Sequence, residues 1–108
     1  MAELRAEPRD PIARKAQLSY EGNWVPCLIQ DVSSQGFGIM STRPFEVGQL
    51  SELRCEPYPG KQFHCHVEIR HCGESHMGVV IREMNETGRR LCMQLMQDYH
   101  SDRTLRNQ

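Results

Sequence analysis

The 108-residue chain has no apolar run of membrane-spanning length. Its opening, Met-Ala-Glu-Leu-Arg-Ala-Glu, is charged and lacks the apolar core of an export signal, so the expectation is a cytoplasmic protein. It lacks an excess of either charge: 13 Lys and Arg stand against 14 Asp and Glu, and no general basic field draws a nucleic acid polymer. Aromatic residues are scarce, at 6%, which also argues against a stacking platform for single strands. No Cys-x-x-Cys pair occurs among the five cysteines, whose number is odd and spacing irregular. With no export signal, reduced thiols are the expectation, four of which sit in apolar strand or helix patterns as small hydrophobes. There is neither an internal repeat nor a low-complexity tract.

What is present is alternation. Ala16, Leu18 and Tyr20 alternate with polar residues, and Glu21-Gly22-Asn23 reads as a hairpin turn. Trp24–Gln30 is a second strand, with Pro26 pointing to an edge or a bulge. Asp31–Gly36 is a tight connection into a third strand at Phe37–Ser41. Leu50, Leu53 and Cys55 suggest a fourth strand and Glu56–Gly60 a loop. Phe63, Cys65, Val67 and Ile69 give the cleanest period of two in the chain, and Met77, Val79 and Ile81 a sixth strand. Six short strands joined by short links, with no helix between them, predict an all-β antiparallel barrel or sandwich. From Glu86 to about His100 the period changes to that of a helix, with Asn85 as N-cap and Leu91, Leu95 and Tyr99 as an apolar stripe. The domain expectation is a flexible arm over 1–11, a barrel with its helix over 12–100, and a polar tail over 101–108.

Two arrangements hint at other chemistry. His64-Cys65-His66, His71-Cys72 and His76 offer metal-ligand types, yet adjacent strand residues point to opposite faces and these groups do not converge. The same geometry separates Cys72 from His71, and no third group orients a base, so neither a metal site nor an enzyme is expected. Met93 and Met96 on the helix offer an adaptable docking surface, with barrel-capping core as the simpler reading of that helix.

An arm carrying Arg5-Ala-Glu-Pro-Arg9, then a strand, then Asp31-Val-Ser-Ser-Gln-Gly36, resembles the PilZ domain family. His76-Met77-Gly78-Val79-Val80-Ile81 resembles that family's late strand. Where many members have a further arginine beside the first, this chain has Leu4 and Ala6. The resemblance implies a six-stranded antiparallel barrel with a C-terminal helix. It also implies a bacterial receptor for the second messenger cyclic di-GMP, whose binding orders the arginine arm and alters the surface met by an effector protein. The alternative is a PilZ-like adaptor that binds no nucleotide and acts only by protein contact. No cofactor beyond the ligand is implied.

The residue chemistry suits that ligand. The guanidinium forks of Arg5 and Arg9 match guanine O6 and N7, pair with phosphate and stack on bases. Asp31, accepting only, complements guanine N1–H and N2–H₂. Ser33 can donate to a phosphate, and Gly36 admits close backbone approach. Arg70 or His71, and Gly78, are further contact candidates. A chain of this length leaves no room for an output domain, so the expected effect passes through a partner.

Overall fold

The computed structural model describes residues 13–43 and 45–106, with side chains as far as Tyr99. The expected arm, 1–11 with Arg5 and Arg9, lies outside the described residues. The elements run β1 Arg14–Tyr20, β2 Asn23–Val32, β3 Gly36–Ser41, β4 Leu50–Tyr58, β5 Lys61–Cys72, β6 His76–Met84 and α1 Glu86–Arg106. The strands close into an antiparallel barrel in the order β1-β2-β3-β6-β5-β4. Two three-stranded meanders, β1–β3 and β4–β6, are thus joined at two seams, β3 with β6 and β1 with β4.

Alternation decides which side chains fill the barrel. Leu18, Ile29, Ile39, Leu53, Val67 and Ile69 are wholly buried, each contributing about 1.5–3 kcal/mol by leaving water. Phe37 stacks on Phe63 inside, with ring centroids 5.9 Å apart. Phe45, in the link between β3 and β4, is also buried, edge-on to Tyr20 at 5.1 Å.

The β1–β2 turn is shorter than its sequence suggests. Glu21 and Gly22 alone form it, both at positive φ (51° and 83°), and Asn23 already pairs with Tyr20. Two positive φ values give a two-residue hairpin the twist its strands need. Pairing outward from this turn points the Pro26 nitrogen away from β1, toward the β3 side. There the ladder begins only at Cys27, so the missing N–H leaves no gap. The bulge in β2 falls further on, between Ile29 and Asp31. Glu56–Pro57 is not loop: β4 continues to Tyr58 through a register shift between Cys55 and Tyr58, which absorbs the proline. Leu50, counted with the fourth strand's apolar set, faces outward and is 70% exposed.

Asn85 caps α1 through Oδ1, which accepts from the Gly88 N–H at 2.8 Å. The helix reaches Arg106 rather than ending near His100, because no Gly or Pro follows to stop it. It packs on β2 and β5, which stand opposite each other in the barrel, and so spans one mouth. Leu91, Cys92 and Leu95 complete the core there, while Met93 stays 59% exposed. The Tyr58 hydroxyl donates to the Asp98 carboxylate, tying β4 to the helix. Arg14 Nε donates to the Pro57 carbonyl at 3.0 Å, and its guanidinium lies over the Tyr58 ring. No helix among the described residues is long and apolar enough to cross a membrane.

Cys27, Cys55, Cys65 and Cys92 are buried and unbridged, and only Cys72 is exposed. Burial pushes the thiols of Cys27, Cys55 and Cys65 up to about 12, and that of Cys92 to about 11. They therefore stay protonated far above neutral pH and react slowly. A thiol reagent at about pH 8 is expected to label Cys72 rapidly in the folded protein, and all five cysteines only after denaturation. Fast labelling of more than one thiol in the folded state would contradict this core.

Candidate functional site

The two inner strands of the site, β3 and β6, pair in register from Gly36–Val80 to Met40–His76. Phe37 and Ile39, with Met77 and Val79, point inward, which leaves Gly36, Gly38 and Gly78 on the outer parity. Gly38 sits directly opposite Gly78. On one flank β2 bulges between Ile29 and Asp31, so that Asp31 pairs with Gly38. On the other β5 bulges between Ile69 and His71, so that His71 pairs with Gly78. One lateral row therefore reads Asp31, Gly38, Gly78, His71 across four strands. Bulges re-aim the side chains that follow them, and here both aim inward over bare backbone.

A Cβ built on Gly38 would lie 2.5 and 2.6 Å from the two Asp31 carboxylate oxygens. One built on Gly78 would collide with the His71 ring, lying 2.7 Å from Cδ2. The floor is the main chain of Gly38 and Gly78, and the space their missing side chains leave is taken by the Asp31 carboxylate at one end and the His71 ring at the other. His76 and Gln30 border it: His76 Nδ1 and Gln30 Oε1 are 3.3 Å apart, and the His71 and His76 ring centroids are 6.4 Å apart. Half-buried Asp31 and exposed His71 both remain within reach of a ligand from outside.

The opposite border is the turn between β2 and β3. Ser33 N donates to the Gly36 carbonyl at 2.9 Å, while Ser33 Oγ accepts from the N–H groups of Gly36 (3.2 Å) and Gln35 (3.3 Å). Both Asp31 and Val32 belong to β2, so the connection itself is only Ser33–Gln35. Gly36 does not take a positive φ. Its bare α-carbon faces the Val79 carbonyl, which occupies the space a Cβ would need. Gly36 therefore admits a neighbouring strand, where the sequence suggested a turn conformation or a ligand.

Among the expected contact residues, Asp31 and Gly78 are brought onto one row. Ser33 and Gly36 shape the turn beside it. Arg70 occupies the β5 bulge next to His71 and is exposed. Arg5 and Arg9 lie outside the described residues. Gly38 and Gln30 went unrecognised in the sequence. The available signal was the repeated apolar-Gly-apolar pattern of Phe37-Gly38-Ile39 and Met77-Gly78-Val79, since a lone glycine inside a strand marks close approach.

The histidines of the metal reading separate as alternation requires. His64 and His66 are exposed, Cys65 is buried, and the Cys72 thiol donates to the Phe45 carbonyl at 3.2 Å. Among the described residues no group of three or more His, Cys, Asp or Glu is arranged to hold a metal ion.

Gly36→Ala is expected to lower stability by about 2–3 kcal/mol, because the added methyl meets main chain that can yield only by parting β3 from β6. Thermal melting followed by circular dichroism should show a fall of roughly 10–20 °C. An unchanged midpoint would mean that the seam is not close-packed.

No curated protein matches the chain. The family model for the PilZ domain matches residues 3–98, from the arginine pair through all six strands and most of the helix. With the barrel order and the Asp31–Gly36 corner described above, this chain belongs to the PilZ domain family.

Proposed function

We propose that this chain is a receptor for cyclic di-GMP, with the ligand seated on the Asp31–Gly38–Gly78–His71 row and closed over by the arm bearing Arg5 and Arg9. The family is in general one of cyclic di-GMP receptors, and its domains serve binding or adaptor roles. The observation that carries the reading for this chain is the carboxylate of Asp31 resting on the bare backbone of Gly38, beside a second glycine. Without a Cβ on either glycine, the Asp31 carboxylate and the His71 ring lie low against the sheet, which leaves a flat outer surface for a base. Asp31 supplies two acceptor oxygens for guanine N1–H and N2–H₂. His71 gives a ring for stacking at the far end, and Arg70 a guanidinium beside it for phosphate.

Ser33 and Gly36 act through shape. The Ser33 hydroxyl accepts from two backbone N–H groups, which holds the corner next to Asp31. Gly36 sets the depth of the floor by letting β6 close against β3. Arg5 and Arg9 carry the switch. Ordering an arm costs roughly 1–2 kcal/mol per residue in backbone entropy alone. Bidentate, charge-assisted contacts to a ligand with two phosphates are strong enough to offset that cost. Affinity of about micromolar strength, weakening with salt, is the consequence. The ordered arm changes the surface offered to an effector protein.

Calorimetric titration with cyclic di-GMP tests the reading, and an absence of heat at high micromolar protein favours the nucleotide-free adaptor. Asp31→Ala is expected to weaken binding by about tenfold or more, equivalent to about 1.4 kcal/mol, with the melting temperature held. Arg9→Ala is expected to do the same, and a parental titration curve would remove Arg9 from the site. Amide exchange over residues 4–11 should be fast without ligand and slowed with it. Equal exchange in both states would argue against closure of the arm.

A further inference from the structure

On the outer face of β4, β5 and the start of β2, away from the glycine row, lies a second assembled feature. The Arg54 guanidinium stacks on the Trp24 ring, its central carbon 3.8 Å from the ring centroid. Arg54 Nε donates to Gln17 Oε1 at 2.7 Å. Trp24 is in turn edge-on to His64 at 6.2 Å, and His64 pairs with Glu52 at 3.2 Å. A surface arginine usually samples many rotamers, and this one is held in plane by a ring below and an amide beside it. Its two terminal nitrogens have no hydrogen-bond partner among the described residues.

Arg54 borders a cavity of about 340 Å³, lined also by Trp24, Gln62, Phe63, His64, Asn85 and Thr87. Its lining combines one fixed cation, aromatic walls, and amide and hydroxyl groups. No carboxylate is among the described residues that line it. Glu52 is engaged by His64, and Glu56 accepts from the Gly60 N–H and the Gln62 amide. A guanidinium fork with both ends open is the complement of a carboxylate, which accepts two parallel N–H bonds. The aromatic walls favour a carboxylate attached to a flat or apolar body.

We propose that this cavity is a second ligand site, binding a carboxylate borne on an aromatic or apolar group through Arg54, with Trp24 as its platform. The site takes no part in nucleotide binding. Two sources of that chemistry are open to it: a free aromatic acid, or an acidic side chain next to an apolar one in a partner's peptide segment.

Trp24 is the chain's single tryptophan, so its fluorescence reports on this cavity alone. The full-length protein would be titrated with benzoate, with the blocked dipeptide acetyl-Phe-Glu-amide, and with neutral benzamide, each to about 10 mM. Saturable change with a carboxylate and none with benzamide is the expected result. Arg54→Gln should weaken that binding by about tenfold and leave cyclic di-GMP calorimetry as in the parent. Arg54→Lys, which keeps the charge and loses the fork, should fall between. Dipeptide binding about tenfold tighter than benzoate assigns the site to a partner's segment, and the reverse order to a small acid. The proposal is overturned if neither carboxylate saturates, if benzamide matches them, or if folded Arg54→Gln and Arg54→Lys both titrate like the parent.

Discussion

Pairing of β3 with β6 is the contact on which the barrel and its site both depend. It is one of only two seams between the meanders, and it carries five register pairs where the β1–β4 seam carries three. Glycine stands at three of its six outer positions, with Met40, His76 and Val80 at the others. Val79 brings its carbonyl into the space left by Gly36, and Gly38 lies level with Gly78. Gly36 thus lets the sheet close, while Gly38 and Gly78 leave room for Asp31 and His71 to lie against it.

The bulges in β2 and β5 give that floor its flanks. A regular strand would continue the in-out alternation past Ile29 and past Ile69 without interruption. One extra residue in each, Gln30 and Arg70, resets the parity. Asp31 and His71 thereby turn onto the glycines from opposite sides, while Val32 still reaches the core. The bulges flank the central Gly38–Gly78 pair of the β3–β6 seam from either side, so polar side chains meet over a main-chain surface without any loop having to fold over it.

At the far mouth of the barrel the physics is different. There α1 covers the opening with Leu91, Cys92 and Leu95, and is pinned by Tyr58 to Asp98. Burial raises the Tyr58 hydroxyl to about 12, with the Asp98 hydrogen bond adding to it, so the phenol remains a donor at neutral pH. Arg14, at the start of β1, lies over the same tyrosine. The beginning of β1 and the capping helix therefore meet at one ring.

The strand count, the inward residues, the helix and its Asn85 cap were legible in the chain itself, because periods of two and 3.6 follow from backbone geometry alone. So was the family, through the paired arginines and the Asp31–Gly36 corner. Three things were not legible. Whether Gly36 serves a turn, a ligand or a neighbouring strand depends on what lies opposite, and Val79 is 43 residues away along the chain. The placement of Asp31 and His71 on one row depends on two bulges, which leave no local mark because they relieve a mismatch between strands. The stacking of Arg54 on Trp24 joins residues on strands that are not even neighbours. Local sequence determines which way each side chain faces, and only closure of the sheet decides what it faces.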